Sequence, residues 1–157
     1  MEIILLTVGK TNQDYVRVGI QEYAQRLKKY ITFKIETLPD IRNTKALTPD
    51  IQKTKEGEAI LSHLSPSDYC ILLDEHGQEY TSVQFSVKLQ KIMASGRKRA
   101  VFLIGGPYGF SKEVYSRADE KISFSKMTFT HEMIRLFFTE QVYRAMTILR
   151  GEPYHHE

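Results

Sequence analysis

Three short apolar runs limit what this chain can become: residues 2–8 (Glu-Ile-Ile-Leu-Leu-Thr-Val), 69–73 (Tyr-Cys-Ile-Leu-Leu) and 100–104 (Ala-Val-Phe-Leu-Ile). Runs with almost no polar alternation read as strands covered on both faces, the pattern of a parallel sheet. Between them the spacing changes. Val16, Ile20, Tyr23, Leu27 and Tyr30 recur at steps of three and four, as do Phe85, Leu89, Ile92 and Met93, which sets each group on one face of a helix. Strands alternating with helices predict an α/β fold built on a parallel sheet.

The remaining segments fit that frame. Residues 31–38 alternate enough to be a more exposed strand, and 39–47 reads as a polar loop. Thr48-Pro49 is an N-cap followed by a first-turn proline; it opens a helix with Ile51, Ala59, Ile60 and Leu64 on its apolar side, closed by Ser65-Pro66 ahead of a strand ending at Asp74. The last long helix is expected over about 131–149, with Ile134, Phe137, Phe138, Val142, Ala145 and Met146 turned to the core and Gly151 and Pro153 stopping it. A chain of 157 residues, 41% of them hydrophobic, supports one domain, 1–157, with no linker or repeat.

Cys70 lies inside an apolar run and has no disulfide partner, which fits a reducing compartment. The first apolar run has no basic leader or cleavage site and is too short to span a bilayer, so a cytoplasmic protein without membrane attachment is expected. Net charge is +3 but uneven: residues 1–87 carry 10 Lys/Arg against 12 Asp/Glu (−2), and 88–157 carry 12 against 7 (+5). A basic second half permits contact with RNA, and an ordinary solvated surface shows the same excess.

Chemistry concentrates in the last third. Val101 to Ile104 runs straight into Gly105-Gly106-Pro107-Tyr108-Gly109 and then a helix capped by Ser111. Three glycines in five residues let backbone approach a ligand closely, and ligands of open parallel sheets bind beyond the carboxyl ends of the strands. A tight strand-to-helix turn without a ligand fits equally well. Neither the dinucleotide fingerprint nor the phosphate loop is present, which leaves a nucleoside lacking phosphates as a candidate. In Ser123-Phe124-Ser125-Lys126-Met127-Thr128-Phe129-Thr130, small hydroxyl residues alternate with Phe and Met. Backbone there can pair with an adenine edge while Met127 and Phe129 cover the ring; an edge strand plus N-cap is the plainer reading.

His131 and Arg135 share a face at the start of the long helix, one imidazole with no second His or thiolate in reach, so no metal site is expected. Glu140, Arg144 and Arg150 lie on its more polar side. The tail, Glu152-Pro153-Tyr154-His155-His156-Glu157, is dense in groups that exchange protons, though a His-His end also fits an incidental terminus.

Taken in order, Thr7-Val8-Gly9-Lys10, Gly105 to Gly109, Ser125 to His131, Glu140-Gln141-Val142-Tyr143-Arg144-Ala145 and Pro153-Tyr154-His155 resemble the SPOUT-class bacterial methyltransferases of large-subunit (23S) ribosomal RNA pseudouridine, the RlmH family. The resemblance covers essentially the whole chain. It implies a C-terminal trefoil knot, an exception to the rule that chains avoid knots. It implies S-adenosylmethionine as methyl donor, held by Leu73, by Gly105 and Gly106, and by Phe124, Ser125, Lys126, Met127, Thr128 and Phe129. It implies a homodimer in which the tail of one subunit completes the site of the other, with the assembled ribosome as substrate. Thr130 departs from the family pattern, which places Pro before the His.

By the same resemblance the acceptor is N3 of a pseudouridine, an imide nitrogen that must lose its proton. His155 is the first candidate to take it and His131 the second, with Tyr154 in the functional tail; Arg135 and Arg144 would hold RNA or offset developing negative charge. Two other classes fit the residues: a non-catalytic RNA or ribosome-binding module with the knot fold, and an enzyme of free nucleosides.

Overall fold

The structure is a computed structural model, and it describes residues 1–156. Strands β1 (Glu2–Val8), β2 (Thr32–Leu38), β3 (Tyr69–Glu79), β4 (Arg99–Ile104) and β5 (Glu120–Ser123) form one sheet in the order β2-β1-β4-β3-β5, parallel at every pairing. The helices are α1 (Asp14–Leu27), α2 (Pro49–His63), α3 (Ser82–Met93), α4 (Lys112–Arg117) and α5 (His131–Leu149). The α/β parallel-sheet expectation holds throughout.

The uninterrupted apolar runs are explained by what covers them. Ile3 and Leu5 of β1 pack with Phe102, Phe85, Leu89 and Phe138 in the core shared with α1, α3 and α5. Their neighbours Ile4, Leu6 and Val8 enter a second core with Leu103, Cys70, Ile60 and Val114, under α2 and α4. Period-2 alternation therefore buries both sets, and no polar residue is needed on either face. Phe102 and Phe138, both with no exposed surface, meet at 4.7 Å between ring centres and fix α5 on the sheet.

Local signals set the helix starts. Thr48 Oγ1 accepts from Ile51 N, Ser111 Oγ from Val114 N, and Thr130 Oγ1 from Met133 N at 3.1 Å. The last of these accounts for Thr130: its hydroxyl supplies a cap that proline cannot. Thr81 and Gln84 form a reciprocal capping box at α3.

Three elements differ from expectation. β3 continues past Asp74 to Glu79, with a register shift against β5 between Leu73 and Gln78. Gly77 lies so close to the Ile122 backbone that a Cβ there would sit 2.6 Å from Ile122 N and C. The shift leaves residues 74–77 unpaired against β5, which a strand read from apolar content alone does not show. Tyr30 falls outside α1, in the turn where its N–H bonds Leu27 O. The 39–47 loop contains a 3-10 turn at Thr44–Ala46 entered through Asn43 at φ 58°. Among the described residues no helix is long and apolar enough to cross a membrane.

Candidate functional site

The glycine turn leaves the carboxyl end of β4, the middle strand. Gly109 N donates to Gly106 O at 3.1 Å, and Gly109 itself has φ 79°, a left-handed conformation that glycine adopts without a Cβ penalty. The turn folds back so far that a Cβ on Gly105 would lie 3.2 Å from the Gly109 carbonyl. Buried Phe110 anchors its far end, edge-on to Tyr115 at 5.8 Å. Beyond it Ser111 starts α4.

The hydroxyl residues after β5 have a specific use. Ser123 Oγ donates to Ser125 O, and Ser125 Oγ accepts from Met127 N, both at 2.9 Å, so the loop is tied by side chains where no strand partner exists. Phe124 turns inward against Phe138 and Phe85. Met127 is 75% exposed, while Phe129 meets Phe137 edge-to-face at 5.0 Å.

These two loops and the β3 bulge enclose a cavity of about 560 Å³. Leu73, Gly105, Gly106, Phe124, Ser125, Met127, Thr128 and Phe129 all line it, and so does His131. Lys126 is exposed and lies outside the lining. Residues without an expected role also border it: Asp74 and Glu75 on the bulge, Tyr115 on α4 and Lys53 on α2. Tyr115 donates its hydroxyl to Asp74, whose other oxygen accepts from His76 N at 2.9 Å, so the carboxylate is fixed in orientation. Burial, with the bond to Asp74, pushes the Tyr115 phenol up and keeps it a donor.

The lining matches the chemistry of S-adenosylmethionine. Leu73, Ile104, Phe124 and Met127 offer apolar walls to a purine, the bare glycines allow close backbone approach, and two carboxylates face a ligand that carries sulfonium and ammonium charges. A smaller cavity of about 270 Å³ adjoins it across Phe124 and Phe129, with Tyr80, Phe85 and Phe137 as walls and Ser82, Glu140 and Gln141 as polar groups.

The remaining candidates divide into two places. Arg135 is 2% exposed, and its guanidinium donates to Gly9 O at 2.9 Å, Val8 O at 3.0 Å and Thr11 Oγ1 at 3.0 Å. This corrects the expectation that it holds RNA: the structure commits its charge to the carbonyls at the end of β1. Burial, opposed in part by Glu132, lowers its pKa, as for a cation withdrawn from water.

Arg144, Tyr154 and His155 gather around Glu140, outside the larger cavity. Arg144 Nε and Nη2 donate to Glu140 Oε1 at 3.1 and 2.6 Å, and Tyr154 OH donates to the same oxygen at 2.8 Å. The Arg144 guanidinium also stacks 4.7 Å from the Tyr154 ring centre and bonds His155 Nδ1 at 3.2 Å. A guanidinium only donates, so His155 accepts at Nδ1 and carries its ring proton on Nε2. Burial and hydrogen bonds to Tyr23 and Glu140 push the Tyr154 phenol up, away from any role as a base. Gln141 Nε2 donates to Glu140 Oε2 at 2.8 Å and Ser82 Oγ to Gln141 Oε1 at 2.9 Å, so a chain of hydrogen bonds joins the tail to the smaller cavity.

His131 thus lines the larger cavity, while the tail imidazole lines neither and is linked to the smaller one through Arg144, Glu140 and Gln141. Among the described residues no three His, Cys, Asp or Glu side chains converge as for a metal ion.

Known proteins share this pattern over their whole length. The family model described as "Predicted SPOUT methyltransferase" matches residues 1–155. A protein of Parabacteroides distasonis named Ribosomal RNA large subunit methyltransferase H is 59% identical over 157 residues, all of both chains. Proteins of the same name from Bacteroides thetaiotaomicron and Christiangramia forsetii are 55% and 56% identical over 100% and 99% of both chains.

Proposed function

Since the chain belongs to the SPOUT methyltransferase family, we propose that it transfers a methyl group from S-adenosylmethionine to N3 of a pseudouridine in large-subunit ribosomal RNA. The observation that carries this reading is the convergence of Leu73, the Gly105-Gly106 turn and the Phe124 to Phe129 loop on one cavity, although those segments lie far apart in the chain. The relatives named for large-subunit ribosomal RNA supply the substrate class.

S-adenosylmethionine brings a methyl group already activated on a sulfonium, so the protein's work is alignment, exclusion of water and handling of the acceptor proton. The glycine turn and the hydroxyl-tied loop would hold the donor. Phe124 and Phe129 border both cavities, and the aromatic walls of the smaller one, with Ser82, Gln141 and Glu140, suit a base turned out of its helix beside the donor. An imide nitrogen must be deprotonated before it attacks, and two imidazoles are within the site's architecture. His131 borders the donor cavity. His155 accepts a proton at Nδ1 only when it leaves Arg144, which a tail reaching into a second subunit would permit.

The homodimer, the trefoil knot and the cytoplasmic assembled ribosome as substrate belong to the same proposal. The basic second half favours a dimer that presents both copies to RNA. The placement of β3 between β4 and β5, with both following loops turned to one cavity, favours a threaded chain.

Tritiated methyl transfer to assembled large subunits, free ribosomal RNA and free nucleosides tests the reading. Label in ribosomal RNA is expected. Label in nucleosides alone, or no heat of donor binding in calorimetry, overturns it. In single turnover at saturating donor and ribosome, His155→Ala and His131→Ala then assign the proton acceptor, since only its loss abolishes the step.

A further inference from the structure

α2 carries a charged residue where its core-facing side should be apolar. Glu56 shares the buried face with Gly57 and Ile60 and is 4% exposed. Its Oε1 accepts from Gln52 Nε2 at 3.0 Å, while Oε2 has no partner. Leaving a buried carboxyl oxygen unpaired is costly, so its presence needs a use that outweighs the penalty.

Gly106 supplies that use. A Cβ built on Gly106 would lie 2.7 Å from Glu56 Oε1 and 2.8 Å from its Cδ, and nearer still to Oε2. The carboxyl is therefore packed flat against the back of the turn whose front lines the larger cavity. One residue on, Gly57 does the same at the turn's other end: a Cβ there would meet Ser111 Oγ and lie 3.0 Å from Ser111 Cβ. Two adjacent residues of α2 thus pin both ends of residues 106–111. Phe110 anchors the far end of the turn and Gly109 N bonds Gly106 O across it, while Glu56 packs against Gly106 at the near end.

We propose that Glu56 is a positioning residue for the methyl donor, bracing Gly106 from behind so that the glycine turn holds the shape the donor requires. The proposal rests on the donor reading above. Burial raises the Glu56 pKa, Asp40 on the 39–47 loop adds to this, and Gln52 and His131 oppose it. The bracing itself is a matter of shape, so an amide that fills the same space against Gly106 should serve as well.

Calorimetric titration with S-adenosylmethionine, with initial rates on ribosomes, tests this in the full-length protein. Glu56→Ala is expected to weaken donor binding by about tenfold while kcat at saturating donor falls less than about threefold, because a mispositioned turn is corrected by occupancy. Glu56→Gln should stay within about threefold of wild type in both. Gly106→Ala should also weaken binding, and its penalty should shrink when Glu56→Ala is present, because the clash it creates is with that side chain. Additive penalties, unchanged donor affinity in Glu56→Ala, or a loss confined to kcat overturns the proposal. If Glu56→Ala does not fold, Glu56→Ser, which also removes the carboxyl from behind Gly106, takes its place under the same criteria. Failure of the wild type to bind donor sinks the methyltransferase reading instead.

Discussion

Arg135 shows how far a residue's type can mislead. A basic residue at the exposed end of an expected helix suggests RNA, yet its partners are the carbonyls of Val8 and Gly9, more than a hundred residues away in sequence. Arg135→Ala should cost about 3 kcal/mol by leaving those buried carbonyls unpaired, and Arg135→Lys should not restore it, because an ammonium lacks the forked donor; denaturant midpoints check both. Two carboxyls make opposite demands on pH. Glu132 is lowered by hydrogen bonds from the backbone of Gln13 and Asn12, so its contribution is present above the ordinary value of 4.5 and lost as pH falls below it. Glu56 is raised by burial, so its contribution is present below 4.5 and lost as pH rises through its folded value. Thermal midpoints across pH should therefore lose their acid-side slope in Glu132→Gln and gain at neutral pH in Glu56→Gln. Glu56 was legible in principle: Glu56 and Ile60 stand four apart on one face, and a charge on an apolar stripe asks for a reason.

Elements were legible where one interaction decides them. Apolar runs marked β1, β4 and the start of β3, and the caps Thr48 and Ser111 marked the starts of α2 and α4. The β3 extension was not, because Asp74, Glu75 and His76 are polar and unpaired, and the strand is rejoined to β5 only at Gln78 and Glu79. Gly77→Ala is the direct probe. Its Cβ collides with Ile122 backbone, which cannot move without unpairing β5, so a loss of about 1–3 kcal/mol in stability is expected from overpacking. Because the bulge carries Asp74 and Glu75 at the donor cavity, donor affinity should fall as well; unchanged calorimetry would separate the bulge from the site. The alternation after β5 reads either as a ligand wall or, more plainly, as an edge strand plus N-cap; in the structure its hydroxyls tie the loop to itself while Met127 and Phe129 line the cavity.

At the scale of the molecule, the candidate residues fall into a donor cavity and a tail cluster on Glu140, and no sequence signal relates the two. Their joining across subunits is testable by complementation. A chain with Gly106 replaced by Val lacks a donor site, and one with His155→Ala lacks the tail imidazole. If the tail serves the partner, mixing the two should restore methylation that neither shows alone, whereas sites complete within one chain stay silent. The strand order has one more consequence, for synthesis. β1 and β2 pair early, but nothing joins them to β3 until β4 has been made and inserted between them. The loop after β5 and the first turn of α5 come later still, so the growing polypeptide carries a brace and half a sheet for most of its emergence. A chain that modifies large-subunit ribosomal RNA thereby completes this cavity only when its own synthesis is nearly over.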